Sequence, residues 1–315
     1  MDLKDLYARL REEIGKVVFG QDEVVELALA GLFSGGHVLL EGMPGTAKTL
    51  LVRVLASALD LGFSRVQMTP DLLPGDITGS AIYRDDTHEF VFQRGAVFSN
   101  FLLADELNRA SAKTQSALLE AMQELHVTVD GKTYPLPEPF MVFATENPVE
   151  QEGTYPLPLA QLDRFMFKVQ VGYPDGETEE RIYRSHHAGG VNAALARGGI
   201  TKLLGPAEIL EAREIIAQTF VRDEVASYVR RLMQATRSDE ALASGASPRA
   251  GLMLLMGAKS LARFAGRDYV TPDDVKECFL PAIAHRVTLA ATAEIEGARA
   301  EDVLVRLLNT VEVPR

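Results

Sequence analysis

The chain has 315 residues, 47% of them hydrophobic and 24% charged, a composition that supports a sizeable core spread over two domains and excludes a largely disordered polymer. Lys and Arg total 32 against 44 Asp and Glu, and the formal net charge of −12 disfavours nucleic acid and anionic membrane as partners when no concentrated basic run offsets it. No apolar run approaches the ~18 residues of a membrane span, and the opening MDLKDLYARLREEIGKVV is charged throughout, so neither bilayer insertion nor a signal peptide is expected and the cytoplasm is the default location. Cys278, in the apolar stretch KECFLPAI, reads as a buried structural thiol. His186 and His187 are adjacent and have no partner at ligand spacing, so no structural metal is expected.

From Gly35 to about Val171, short apolar runs alternate with helical patterns, the signature of a parallel sheet covered by helices. Strands are expected at His37–Glu41, Arg65–Met68, Phe101–Asp105, Phe140–Thr145 and Phe165–Val171, with helices at Lys48–Leu59 and Ala112–Leu125. Two hairpins interrupt this rhythm: Ala81–Tyr83 and Glu89–Phe92 flank the polar tip Arg84–His88, and Val127–Val129 runs into the turn dipeptide Asp130-Gly131. After Tyr173-Pro174 the strand signal ends, and a Gly- and Ala-rich passage precedes a purely helical remainder. Its expected helices are Pro206–Thr219, Asp223–Arg237, Pro248–Gly266 and Pro272–Ile283, the last two opened by a capping residue and an N1 proline at Ser247-Pro248 and Thr271-Pro272. The expected division is an α/β body over 1–187, a linker over 188–203 and a smaller all-α domain over 204–315.

Three strand ends carry chemistry. The strand HVLLE runs into Gly42-Met43-Pro44-Gly45-Thr46-Ala47-Lys48-Thr49 and then a helix, the spacing of a phosphate-binding P-loop with Ala47 in place of its second glycine. Such a turn offers backbone N–H groups and a helix N-terminus to phosphate oxygens, Lys48 reaches the outer phosphates and Thr49 can ligate magnesium. An ordinary strand-to-helix turn is the bland alternative. Phe101–Ala104 ends in Asp105-Glu106, similar to a Walker B element, where Asp105 would hold magnesium through its water shell and Glu106 would polarise an attacking water. Paired acids can also be a solvated strand edge. A third strand delivers Glu146-Asn147-Pro148 to the same end of the sheet, giving Asn147 either a place beside the γ-phosphate or the role of a turn residue before proline.

The set GMPGTAKT, LLADELNRA, ATENP, QLDRF, GASPRA and TPDLLPGDITG resembles the MoxR branch of the AAA+ ATPases over essentially the whole chain. That branch often carries alanine where Ala47 stands. The resemblance implies a P-loop NTPase body, a helical lid, and a homo-oligomeric ring, usually a hexamer, binding ATP and Mg2+ at subunit interfaces. It assigns Val18, Phe19, Gly20 and Gln21 to the adenine side and the P-loop residues through Leu50 to the nucleotide. Asn147 matches sensor 1, Arg249 of SPRA matches the sensor 2 arginine, and Arg164 of LDRF matches an arginine finger reaching the neighbouring subunit's γ-phosphate. Read without the family, Arg164 is equally a surface salt bridge to Asp163 or another acid.

The hairpin segments Leu72–Gly95 and about Val127–Pro137 match a helix-2 insert and a pre-sensor-1 hairpin on the pore or substrate face; as bare structure they are edge hairpins. The implied activity is Mg-dependent ATP hydrolysis that remodels, assembles or activates a protein client, since MoxR-like proteins are commonly paired with von Willebrand factor A domain proteins. Two alternatives stand beside it: a DNA-directed AAA+ motor, disfavoured by the net charge, and a nucleotide-gated assembly switch with negligible turnover, against which Glu106 and Arg164 argue.

Overall fold

The structure, a computed structural model, describes all residues except Thr87, 148–154, 187–190 and Arg315. Thr87 of the first hairpin tip, Pro148 after Asn147, His187 and the first residues of the expected linker therefore lie outside the described residues. Helices α1 (Leu3–Gly15) and α2 (Asp22–Phe33) precede β1 (Val38–Glu41), α3 (Lys48–Ala58) and β2 (Phe63–Gln67). A short α4 (Pro74–Thr78) leads into the antiparallel hairpin of β3 (Gly79–Arg84) and β4 (Glu89–Arg94), followed by β5 (Phe101–Asp105) and α5 (Ala112–Glu124). A second hairpin, β6 (His126–Val129) and β7 (Lys132–Pro135), precedes β8 (Met141–Glu146), α6 (Leu159–Leu162) and β9 (Phe167–Gln170). The chain continues through α7 (Gly176–His186), α8 (Val191–Gly198), α9 (Pro206–Ala217), α10 (Asp223–Ser238), β10 (Leu242–Ser244), α11 (Pro248–Phe264) and α12 (Pro272–Ile283). It closes with β11 (Thr288–Leu289), α13 (Ala291–Ile295) and α14 (Ala300–Thr310).

Five strands form one parallel sheet in the order β2-β5-β8-β1-β9. The central strands β8, β1 and β5 are nearly unbroken apolar runs because both their faces are covered, as parallel crossovers require, whereas the edge strands β2 and β9 carry polar residues such as Arg65 and Lys168. Alternate side chains go to opposite faces: Val38, Leu40, Phe101, Leu103, Met141 and Phe143 join the larger core with α1, α2, α3 and the C-terminal helices. Leu39, Leu102, Ala104, Val142 and Ala144 join a second core under α5. Both predicted hairpins form, and the ring of Phe92 on β4 stacks on Tyr134 of β7 with centroids 4.0 Å apart, so the two projections lean on each other.

The C-terminal helices are set by local signals. Ser247 accepts from the Ala250 amide at 3.2 Å ahead of Pro248, and Thr271 makes a reciprocal capping box with Asp274 ahead of Pro272. Asp274 is further held by both Nη1 and Nη2 of Arg267, at 2.7 and 2.6 Å. Two expectations need correction. The C-terminal part is not purely helical, since β10 pairs antiparallel with β11; strands of three and two residues are too short to carry a period-2 signal. Within the passage expected as a linker, α8 is helical, with Leu195 packed against the larger core.

The C-terminal helices are seated directly on the sheet. Tyr7 of α1 stacks on Phe264 of α11 at 4.3 Å, and a Cβ on Gly257 of α11 would stand 2.6 Å from the ring of Phe167 and 3.2 Å from Cys278 Sγ. Phe167, fully buried on β9, is thus an apolar joint between sheet and C-terminal helices. Phe167→Ala is expected to cost about 3–5 kcal/mol, read as a lower urea midpoint; an unchanged midpoint would show that this joint carries little of the stability.

Candidate nucleotide site

Residues Pro44 to Leu50, Arg65, Gln67, Asp105, Glu106, Thr145, Glu146 and Asn147 line one cleft of ≈ 480 Å³ at the carboxyl ends of the sheet strands, the edge where open α/β sheets bind ligands. The loop between β1 and α3 is shaped by backbone demands. Gly42 has no room for a side chain, since a Cβ there would lie 2.4 Å from the Val171 carbonyl oxygen, and Gly45 takes φ +86°. Ala47 stands at φ 62°, ψ 19°, a left-handed conformation that costs a non-glycine residue about 1–2 kcal/mol. It caps α3 without a side-chain hydrogen bond, so no side chain of the cap competes for the first-turn amides of that helix.

Lys48 folds back over the same loop, its Nζ donating to the carbonyls of Gly42 and Met43, the latter at 3.1 Å. Burial pulls its pKa down, while Asp105, Glu106 and Glu41 oppose that shift by favouring the ammonium. Thr46 Oγ1 donates to Met43 O at 2.9 Å and Gln21 Nε2 donates to Thr46 O at 2.8 Å, tying the segment after α1 to the loop. Gln21 Oε1 is buried with no hydrogen-bond partner. Leu50 is buried in the core at the foot of the loop.

Across the cleft, Thr145 joins the two acids of β5 to β8. Its hydroxyl donates to Asp105 Oδ1 at 2.7 Å and accepts from the Glu106 amide at 2.8 Å. Arg65 donates from Nη2 and Nε to Asp105 Oδ2 at 2.6 and 3.1 Å, and Glu106 Oε2 accepts from Gln67 Nε2 at 2.6 Å and Arg109 Nη1 at 3.0 Å. Glu106 is itself left-handed at φ 59°, ψ 55°, a second non-glycine residue strained at the same site. Burial pushes the neighbouring Glu146 carboxyl up, with Lys168 opposing. A flexible cation, a helix N-terminus and two fixed carboxylates on opposite sides of one cleft suit a polyphosphate with a hard divalent cation.

Other sequence-derived candidates lie elsewhere. Phe19 and Gly20 lie against α7, with the Arg181 guanidinium 4.0 Å from the Phe19 ring centroid and Thr178 Cγ2 2.7 Å from where a Gly20 Cβ would stand, and Val18 is buried in the larger core. Arg164 does not line the cleft; it is half-buried beside Glu120, Gln123 and Glu124 of α5, its Nη1 donating to Ala160 O at 2.8 Å. The weighed pairing of Arg164 with Asp163 is not what forms, because Asp163 pairs with Arg286 at 2.7 Å. Arg249 is exposed in the first turn of α11, is not among the residues lining the cleft, and is near enough for its charge to act on Arg286.

Nothing in the sequence pattern singles out Arg65, Gln67, Arg109 or Thr145. The strand-end rule could have found Gln67 and Thr145, but only with the knowledge that β2 and β8 flank β5.

Residues 37–167 match the family model described as ATPase family associated with various cellular activities (AAA), and residues 234–307 match that of the AAA lid domain. The chain is 49% identical to Chaperone MoxR1 of Mycobacterium tuberculosis over 96% of its own length and 81% of that protein. It is 42% identical to the uncharacterized protein YeaC of Bacillus subtilis over 99% and 96% of the two chains. The crystal structure of a candidate ATPase from Cytophaga hutchinsonii superposes with a TM-score of 0.91 at 42% identity, covering 99% of this chain and 96% of that one. The chain belongs to the MoxR family of AAA+ ATPases.

Proposed function

We propose that the protein is a Mg-dependent ATPase whose turnover drives chaperone-like remodelling, assembly or activation of a protein client. The observation that carries this reading is the convergence of Lys48, Asp105, Glu106 and Asn147 on one cleft, and the name of its relative MoxR1, a chaperone, points the same way. The phosphates lie on the amides of Gly45 to Thr49, with Lys48 exchanging its carbonyl contacts for the outer phosphate oxygens. Thr49 and Asp105 would hold Mg2+, which when bound would neutralise phosphate charge. Gln21, whose Oε1 is buried and unpartnered, offers an acceptor to the base at the Val18–Gln21 side.

Glu106 takes the proton of the attacking water as general base, oriented by Gln67 and Arg109. Asn147, at the end of β8, positions that water or the γ-phosphate. Arg164, outside the cleft of its own chain, serves the cleft of a neighbouring subunit in a ring, a hexamer by family resemblance, and Arg249 acts from the lid as the sensor 2 arginine. Residues 1–187 form the nucleotide-binding body, 188–203 the connection and 204–315 the lid. The paired hairpins, with Tyr83 and Phe90 exposed near the tip of the first, face the client, for which a von Willebrand factor A domain protein is the proposed class. A cytoplasmic location accompanies this reading; among the described residues no helix is long and apolar enough to cross a membrane.

Lys48→Ala is expected to abolish binding of a fluorescent ATP analogue while leaving the far-UV circular dichroism unchanged, because the ammonium meets phosphate and not the core. Wild-type affinity in this variant would refute the phosphate assignment. Arg164→Ala should bind nucleotide normally yet lose ~10³–10⁵ in turnover, the range measured for arginine fingers. Mixed rings of Arg164→Ala and Lys48→Ala subunits should regain activity, since the second supplies the arginine that the first lacks. No recovery despite confirmed subunit exchange would rule out action across the interface.

A further inference from the structure

Arg286 is a buried cation that the proposed mechanism does not use. It lies after α12, its side chain 1% exposed, in an environment where burying a charge costs several kcal/mol unless it is well paired. Most of its hydrogen bonds go to one short stretch of the α/β body, with Nη2 also donating to Met253 Sδ of α11 at 2.6 Å. Nε donates to Asp163 Oδ1 at 2.7 Å, Nη2 to the carbonyls of Asp163 at 3.1 Å and Phe165 at 2.5 Å, and Nη1 to that of Met166 at 3.1 Å. Nη1 also donates to Ala282 O in the last turn of α12. The neighbouring His285 adds a hydrogen bond from Nε2 to the Phe165 carbonyl at 3.0 Å.

These contacts bracket Arg164 on both sides in sequence while leaving its side chain out. The carbonyls of Asp163, Phe165 and Met166 are held by the C-terminal helices, whereas the Arg164 guanidinium turns the other way, toward Ala160 O and the α5 side. Lysine could carry the charge, but only a planar fork with five donors meets this many acceptors at once. An apolar side chain would satisfy packing there without the desolvation cost. The directional chemistry is concentrated on the backbone that carries Arg164.

We infer that Arg286, paired with Asp163, is a positioning residue that fixes the main chain around Arg164 to the lid, so that the reach of Arg164 to a neighbouring nucleotide site is set by where the lid sits. This rests on reading Arg164 as the residue that acts between subunits. Lid movement then changes the geometry of the neighbour's site through a rigid, hydrogen-bonded connection with Arg164 at its end. A small displacement suffices, because a misplacement of ~1 Å far from the chemistry can cost ~10²-fold in rate.

The test uses the full chain under ring-forming conditions, with ATP as the probe. Asp163→Asn keeps the shape and the carbonyl contacts but removes the charge that holds Nε, and Arg286→Lys keeps the charge but loses the fork. Each is expected to lower kcat about 10- to 100-fold with the KM for ATP and nucleotide affinity little changed. In an Arg164→Ala background, adding Asp163→Asn should change kcat by less than about twofold, because the two substitutions remove one function. Asp163→Asn subunits should regain turnover when mixed with Lys48→Ala subunits, which bring an intact Asp163–Arg286 pair; general destabilisation would not be rescued in this way.

Should Arg286→Lys not fold, Asp163→Asn carries the same comparison. Unchanged kcat, lost nucleotide affinity, or losses that multiply with Arg164→Ala would overturn the inference while leaving the role of Arg164 intact. Wild-type turnover in Arg164→Ala alone would refute that role first, and this inference with it.

Discussion

In a parallel sheet all carboxyl ends share one edge, and the order β5-β8-β1 sets the phosphate loop after β1 beside the acids ending β5, with β8 between them. Everything functional here depends on that adjacency. Thr145, on the intervening strand, converts it into fixed geometry: one hydroxyl accepts from the Glu106 amide and donates to Asp105, so a shift of β8 against β5 would move both acids together. The register of β5 against β8 sets Leu103 beside Phe143 and Ala104 beside Ala144, and that register brings Asp105 to Thr145.

The site stores its costs locally. Ala47 and Glu106 both sit in left-handed backbone, a conformation that persists only where the surroundings over-determine it. Around Ala47 the constraint comes from Gly42 pressed on Val171 and from Lys48 and Gln21 bonded to loop carbonyls. Around Glu106 it comes from Thr145, Gln67 and Arg109. Charges of both signs are held against each other before any ligand contributes, with Arg65 on Asp105 and Arg109 on Glu106. On the proposed reading, a polyphosphate and a divalent cation entering this cleft would rearrange existing pairings, and the partly exposed side chains of Arg65 and Arg109 would yield at small cost.

Much of this was legible in the sequence, for identifiable reasons. The central strands β1, β5 and β8 were readable because strands buried on both faces are unbroken apolar runs, and the caps at Ser247 and Thr271 because capping chemistry is local. Lys48 was readable from the spacing of the phosphate loop and Asp105, Glu106 and Asn147 as strand-end residues, and they share the cleft. Strand order was not readable, so Gln67 and Thr145 were missed: each acts on a strand distant in sequence. Arg286 was missed because a single arginine after an apolar helix has no pattern, and its partners lie about 120 residues upstream. The strands β10 and β11 exist only through pairing with each other, and α8 forms in a passage whose Gly and Ala content suggested a break.

On the proposed reading one cleft separates the holding of nucleotide from its hydrolysis, the first resting on Lys48 and the loop, the second on Glu106. Glu106→Gln tests that division most directly, because the amide keeps the size and can still bond Gln67 and Arg109 but cannot accept a proton from water. Steady-state phosphate release and equilibrium ATP binding, measured on the same preparation with magnesium, should give wild-type affinity with turnover lowered by at least ~10². Undiminished phosphate release, or affinity lost in parallel with turnover, would contradict the account.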